Sequence, residues 1–226
     1  MLGTASSPSR HILISGGDGN LASALKKEFS REANNEVRAP GRKEMNVRDE
    51  AQVQSYFSQL ERLDLLIANA GLVRDNAVTR LTADDFSDVV DTNLRGAFLC
   101  ARAALKLMLP QKSGHILLIG SRAARCGTRG QSIYAAAKAG LIGLAQSIAR
   151  EYGPRNIRCN VVLPGFLETQ MTASLSAERR EEIRKEHALG RFNTTENAAR
   201  FVAFLASLDH VSGQVFTLDS RIDRWT

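Results

Sequence analysis

Short apolar runs alternate along this chain with stretches in which apolar residues recur every three or four positions. The runs His11–Ser15, Glu36–Ala39, Asp64–Ala68, His115–Gly120, Asn156–Leu163 and Gln214–Leu218 read as strands, and the most continuous of them as strands buried on both faces. Between them, Leu21, Leu25 and Phe29 share one helical face, as do Val53, Phe57 and Leu60 within Arg48–Leu60. A long helical pattern runs from Thr82 to Met108, and Asn93 and Gly96 inside it predict a kink or a buried polar role. An Ala-rich helix carries Tyr134 and extends to about Tyr152, and Thr172–His187 reads as a charged, mobile helical lid with few apolar anchors. Asn193–Leu208 begins with cap-type residues and is expected to turn Phe201, Val202, Phe204 and Leu205 inward. Strands alternating with helices predict a doubly wound parallel sheet, a single α/β domain over residues 11–226 behind a flexible, polar lead-in over residues 1–10.

Composition narrows the classes. At 226 residues the chain can bury a core without staples, and no apolar run is long enough to span a membrane. The lead-in lacks the apolar centre of a signal peptide, which makes the cytoplasm the expected compartment. A net charge of +6 permits nucleic-acid binding, but the basic residues are dispersed with little aromatic interleaving. An acidic protein or a phosphorylated ligand fits that balance equally well. Cys100, Cys126 and Cys159, like His11, His115, His187 and His210, are too scattered for metal-ligand spacing, and no metal site is expected.

Candidate chemistry concentrates in two stretches. Tyr134 and Lys138 lie one helical turn apart, so an ammonium is expected beside a phenol and is expected to lower its pKa. Ser121, at the end of the preceding strand, is placed to hold a carbonyl oxygen while Tyr134 supplies the proton. At the other stretch, Gly16-Gly17-Asp18-Gly19-Asn20-Leu21-Ala22 follows a strand and opens a helix, which is the context of a dinucleotide fingerprint. Glycines there admit the pyrophosphate, and the helix N-terminus offers it free N–H groups. Within the second strand and just after it lie Arg38, Arg42 and Lys43, with Glu44 the nearest acid, so NADP(H) is preferred over NAD(H), with Arg42 or Arg38 on the 2′-phosphate.

With these stations in order, the chain resembles the short-chain dehydrogenase/reductase family over nearly its whole length. The residues that carry the resemblance are Ser15-Gly16-Gly17-Asp18-Gly19, Asn69-Ala70-Gly71, Asn93, Ser121 with Tyr134 and Lys138, and Pro164-Gly165. The stretches Asn69–Asp75, Tyr134–Gly143 and Asn160–Thr172 are most similar to the family's bacterial 3-oxoacyl-acyl-carrier-protein reductases. The resemblance implies a Rossmann-type fold and NADPH-dependent reduction of a ketone, most simply a 3-oxoacyl thioester on acyl carrier protein in fatty acid synthesis. It gives Tyr134 the role of general acid, Lys138 that of pKa modulator and ribose ligand, Ser121 that of oxygen ligand, and Asn93 that of holding a proton-relay water. It also implies that Asn46 and Val47 flank the adenine, that Leu167 meets the carboxamide with Thr169 nearby, that Lys112 and Arg155 dock the carrier protein, and that two or four copies assemble.

Departures keep alternatives open. Asn20 and Ala22 stand where many such reductases carry glycine, and only about seven residues separate the second strand from Asn46, so the third-strand region is shortened. Leu218-Asp219-Ser220-Arg221 replaces the usual Asn-Gly-Gly. Arg122, Arg125 and Arg129 are atypical and could meet a phosphopantetheine phosphate, a substrate carboxylate or a neighbouring subunit. A dehydrogenase of a small polar alcohol or sugar, or a non-catalytic dinucleotide sensor, are the other readings.

Overall fold

A computed structural model of the chain describes residues 9–222, so the expected lead-in lies outside the described residues except for Ser9 and Arg10. Strand β1 (His11–Ile14) leads through the glycine turn into α1 (Asn20–Phe29), which buries Leu21, Ala22, Leu25 and Phe29 at the predicted spacing. Strand β2 (Glu36–Arg38) has only three residues, two of them exposed charges. Helix α2 (Glu50–Phe57) starts where the Asp49 carboxylate accepts the Ala51 and Gln52 amides. Strand β3 (Leu65–Ala68) is followed by α3 (Ala83–Val90), whose Thr82 and Asp85 form a reciprocal capping box. A π-helical turn, Asp91–Arg95, joins α3 to α4 (Gly96–Gln111), so the long predicted helix is interrupted where Asn93 and Gly96 lie.

Strand β4 (Gly114–Ile119) leads through the short helix α5 (Ala123–Cys126) into α6 (Ser132–Tyr152) and then β5 (Ile157–Leu163). Helix α7 (Ala177–Glu186), later in starting than predicted, is followed by α8 (Thr195–Ser207) and β6 (Val215–Thr217). The six strands are all parallel, in the order β2-β1-β3-β4-β5-β6. No strand lies outside β2 among the described residues, which is the shortening expected near residue 40. In its place the chain turns at Gly41 and drives Met45 and Val47 into the core.

Alternation within each strand explains why the runs are apolar throughout. Leu13, Leu66, Ile116 and Leu118 pack under α2, α4 and α6, whereas Ile12, Ile14, Leu65, Ile67, Leu117 and Ile119 pack under α1 and α8. One inward prediction fails: Phe204 is 59% exposed. The stripe that α8 buries is Ala198, Ala199, Val202, Leu205 and Ala206, and at 100° per residue Phe204 lies about 200° round the helix from Val202.

One polar pair is sealed between β4 and β5. The Asn160 amide donates to the His115 ring Nε2 at 3.0 Å and to the Val211 carbonyl, while its Oδ1 accepts the Gln214 amide, so the amide orientation is settled and the ring is neutral. Burial, reinforced by the Arg158 charge, pushes the His115 pKa down to about 3. The unfolded chain, with an ordinary value near 6.5, therefore takes up this proton first as pH falls. We expect stability to be complete above pH 6.5 with respect to this group and to fall by about 1.4 kcal/mol per pH unit between there and pH 3. Urea midpoints across that range, compared with His115→Gln, check it: the variant's profile should be flatter, and parallel profiles would refute the assignment.

Candidate active site

The chain leaves β1, steps outward to β2, and returns to β3 on the other side of β1, so the crevice at the carboxyl ends of β1 and β3 is a topological switch point. Ser15, buried beneath it, accepts the Asn69 and Ala70 amides at 3.1 and 3.3 Å and ties the first turn to the end of β3. Two glycines are sterically required. A Cβ on Gly16 (φ +71°) would lie 2.7 Å from the Ala70 Cα, and one on Gly17 would lie 2.0 Å from the Ala39 carbonyl oxygen. Helix α1 opens just beyond, at Gly19, and no side chain caps its N-terminus. Its first amides are thus open to an anion such as a pyrophosphate.

A cavity of about 810 Å³ runs from this turn along the carboxyl edge of the sheet. Gly16, Asp18, Gly19, Asn20 and Leu21 line one end, with Arg42, Asn46 and Val47 from the shortened segment. Asn69, Ala70 and Gly71 form its floor, and Pro164, Gly165, Leu167 and Thr169 a side wall. Ser121, Tyr134 and Lys138 meet in the middle. Asn20 reaches across to accept the Gln170 amide at 3.1 Å.

Other predicted residues lie off the wall. Ser15 and Gly17 shape the turn from behind. Arg38 is turned away, its guanidinium 2.6 Å from the Glu36 carboxylate at the exposed edge of the sheet, so Arg42 alone of the two reaches the cavity. Lys112 caps α4 and Arg155 precedes β5, which puts both at the amino ends of strands whose carboxyl ends carry the site. In a single chain that is about 20 Å from Tyr134, given six residues of β4 at about 3.3 Å each.

The reactive centre has three parts. The Ser121 side chain stands beside the Tyr134 phenol and favours its ionised form, and Ser121 is steadied by accepting the Ala123 amide at 3.3 Å. Lys138 is buried, donates to the Ile119 carbonyl at 2.7 Å, and places Nζ 5.6 Å from the Tyr134 ring centroid. The expectation that Lys138 depresses the tyrosine pKa is not met in this state. Burial pushes Tyr134 up to about 12, the Asp75 charge adds to that, and only the Ser121 side chain opposes it. Lys138 meanwhile is itself pushed down to about 8 by burial. The phenol is therefore a firmly protonated donor, suited to giving a proton to an oxygen held between it and Ser121.

Asn93 is 1% exposed, turned inward by the π-helical turn. Its amide donates to the Leu72 and Val89 carbonyls at 2.7 and 2.9 Å and accepts the Leu72 amide at 3.4 Å. It does not line the cavity. It packs behind Gly71, where an added Cβ would fall 3.2 Å from Asn93 Oδ1 and 3.8 Å from Lys138 Nζ. The structure also brings in residues that local spacing did not single out: Arg179, Ile183 and Glu186 from one face of α7, and Arg221 from beyond β6. The i, i+4, i+7 spacing on α7 was a readable signal for the first three. Among the described residues no helix is long and apolar enough to cross a membrane.

A family model described as enoyl-(acyl carrier protein) reductase matches residues 20–220. The 3-oxoacyl-(acyl-carrier-protein) reductase of Escherichia coli strain K12 is 41% identical over 167 residues, covering 72% of this chain and 68% of that protein. The protein of the same name from Aquifex aeolicus is 37% identical over 210 residues, covering 90% and 84%, and that from Staphylococcus aureus strain N315 is 42% identical over 166 residues, covering 73% and 68%.

Proposed function

We propose, on the premise that this chain belongs to the short-chain dehydrogenase/reductase family, that it reduces a 3-oxoacyl thioester on acyl carrier protein to the 3-hydroxyacyl thioester with NADPH. The chain is a nicotinamide-dinucleotide-dependent oxidoreductase acting on a CH–OH group. The observation that carries the reading is the Ser121–Tyr134 pair beside buried Lys138, set in a switch-point cavity of about 810 Å³ that also reaches the glycine turn. The glycine turn and the uncapped start of α1 fit a pyrophosphate. When bound, the dinucleotide supplies a hydride to the ketone carbon. Ser121 and Tyr134 grip the ketone oxygen, Tyr134 releases its proton to that oxygen as negative charge develops, and Lys138 supports the phenolate from beneath. Asn93 holds the Leu72 and Val89 backbone in place behind Gly71.

Purified protein supplied with NADPH and a 3-oxoacyl thioester should consume the cofactor, and failure across a range of chain lengths would remove the reading. Arg42 is the cofactor-selecting residue in this scheme. Among the described residues its guanidinium has no acidic partner, and its amide donates to Asp18 at 2.8 Å, which sets the arginine beside the turn. Arg42→Ala should raise the KM for NADPH by about tenfold while changing that for NADH by less, as loss of a charge-assisted hydrogen bond to phosphate requires. Equal effects on both cofactors would show that Arg42 does not read the 2′-phosphate.

A further inference from the structure

Beyond Ser121, three charged side chains from distant parts of the chain meet on the cavity wall. Arg122 directly follows Ser121, Glu186 is the last residue of α7, and Arg221 lies in the segment after β6. One Glu186 carboxylate oxygen is 3.9 Å from Arg122 Nη1 and 3.8 Å from Arg221 Nη1. A carboxylate thus already sits between two guanidinium groups, within ion-pair range but beyond hydrogen-bond length of either.

The second guanidinium is rigidly built. Asp219, whose side chain is fully buried, accepts from Arg221 Nε at 2.9 Å and from Nη2, leaving Nη1 on the Glu186 side. Asp219 also stands 3.1 Å from Nε2 of buried His187, whose Nδ1 meets the Ile183 carbonyl at 2.7 Å. The Ala188 amide donates to the Ser220 carbonyl at 3.0 Å, stitching the end of α7 to the Arg221 segment. Glu186, by contrast, is easily displaced. It is half-exposed, and it ends a helix whose C-terminal dipole repels negative charge.

Phe166, Met171, Leu175 and Ile183 also line this end, interspersed with Thr172, Ser174 and Arg179. A short chain would lie against these side chains, but a long alkyl tail would have to cover Arg122, Arg221 and Glu186 and strip them of water. From this we infer that Arg122 and Arg221 form a carboxylate clamp for a substrate whose short acyl chain ends in a carboxylate, with Glu186 as its internal stand-in, swung to solvent when substrate enters. A planar carboxylate matches the fork of a guanidinium better than any neutral tail does. The inference rests on the ketoreductase reading and names the acyl class for that same site.

The test compares 3-oxohexanoyl and ω-carboxy-3-oxohexanoyl thioesters of N-acetylcysteamine, which carry no phosphate, with NADPH. The ratio of kcat/KM, carboxylated over plain, should exceed one. It should fall by about 10- to 100-fold in Arg221→Gln, as loss of a hydrogen bond to a charged group implies. It should rise in Glu186→Gln, a change at a half-exposed helix end that keeps the test valid if Arg221→Gln does not fold. A ratio that stays within twofold in the variants, or a preference for 3-oxodecanoyl over the carboxylated substrate, overturns the clamp. Glutarate titrated into the NADPH-loaded protein separates this idea from the ketoreductase reading. Binding that weakens in Arg221→Gln and tightens in Glu186→Gln supports the clamp even if no thioester is reduced, and no binding to wild type or to Glu186→Gln refutes it.

Discussion

Tyr134→Phe is expected to lower kcat/KM for ketone reduction by about 10³-fold, within the range that a positioned general acid contributes. The ring stays, so its packing beside Lys138 stays, and only the proton and the Ser121 partner are lost. NADPH affinity should change little, because the glycine turn and α1 that suit its phosphates lie elsewhere on the cavity wall. Stopped-flow reduction of a 3-oxoacyl thioester, with NADPH binding followed by fluorescence, checks both halves. Turnover within tenfold of wild type would exclude Tyr134 as the acid.

Lys138→Met should move activity and stability in opposite directions. Burial without a carboxylate partner drags this ammonium from 10.5 to about 8, which corresponds to about 3 kcal/mol of destabilisation at neutral pH. Methionine of similar length removes that cost and leaves the Ile119 carbonyl without its donor, a loss of about 1 kcal/mol. The net gain, about 2 kcal/mol, raises Tm by about 4–8 °C in a chain of this size. The sign follows from the folded pKa lying below the unfolded one. The burden is full below pH 8 and disappears as pH approaches 10.5, so the variant's advantage should shrink across that window. Turnover should fall by about 10³-fold, since the phenolate loses the buried ammonium beside its ring. A variant that is inactive and also less stable than wild type at pH 7 would mean that Lys138 carries structure rather than chemistry.

Much of the scaffold was legible because it depends on short-range pattern. Continuous apolar runs between helical stretches require strands covered on both faces, and Leu13 and Ile14 do fall into opposite clusters. Thr82 marked a helix start, and the structure adds the capping box that it forms with Asp85. The missing strand beyond β2 was legible as a count of residues, since too few separate β2 from Asn46 to form one. Phe204 was misread because a helix with apolar residues on a wide arc does not reveal which part of the arc faces inward; the neighbouring sheet and α1 decide that.

For the site, the spacing of Tyr134 and Lys138 was enough to place them on one turn of α6, and the glycine turn was enough to mark a strand-to-helix anion cradle. Those are consequences of local backbone geometry, which reaches only a few residues. The pKa of each group is not local. Burial by α6, β4 and the side walls raised the phenol and lowered the amine, against the expectation from spacing alone, because desolvation depends on everything packed around a charge. The meeting of Arg122 with Arg221 across Glu186, nearly a hundred residues apart in the chain, was likewise decided by the tertiary structure, since the pairing of β6 beside β5 brings the Arg221 segment to the cavity wall.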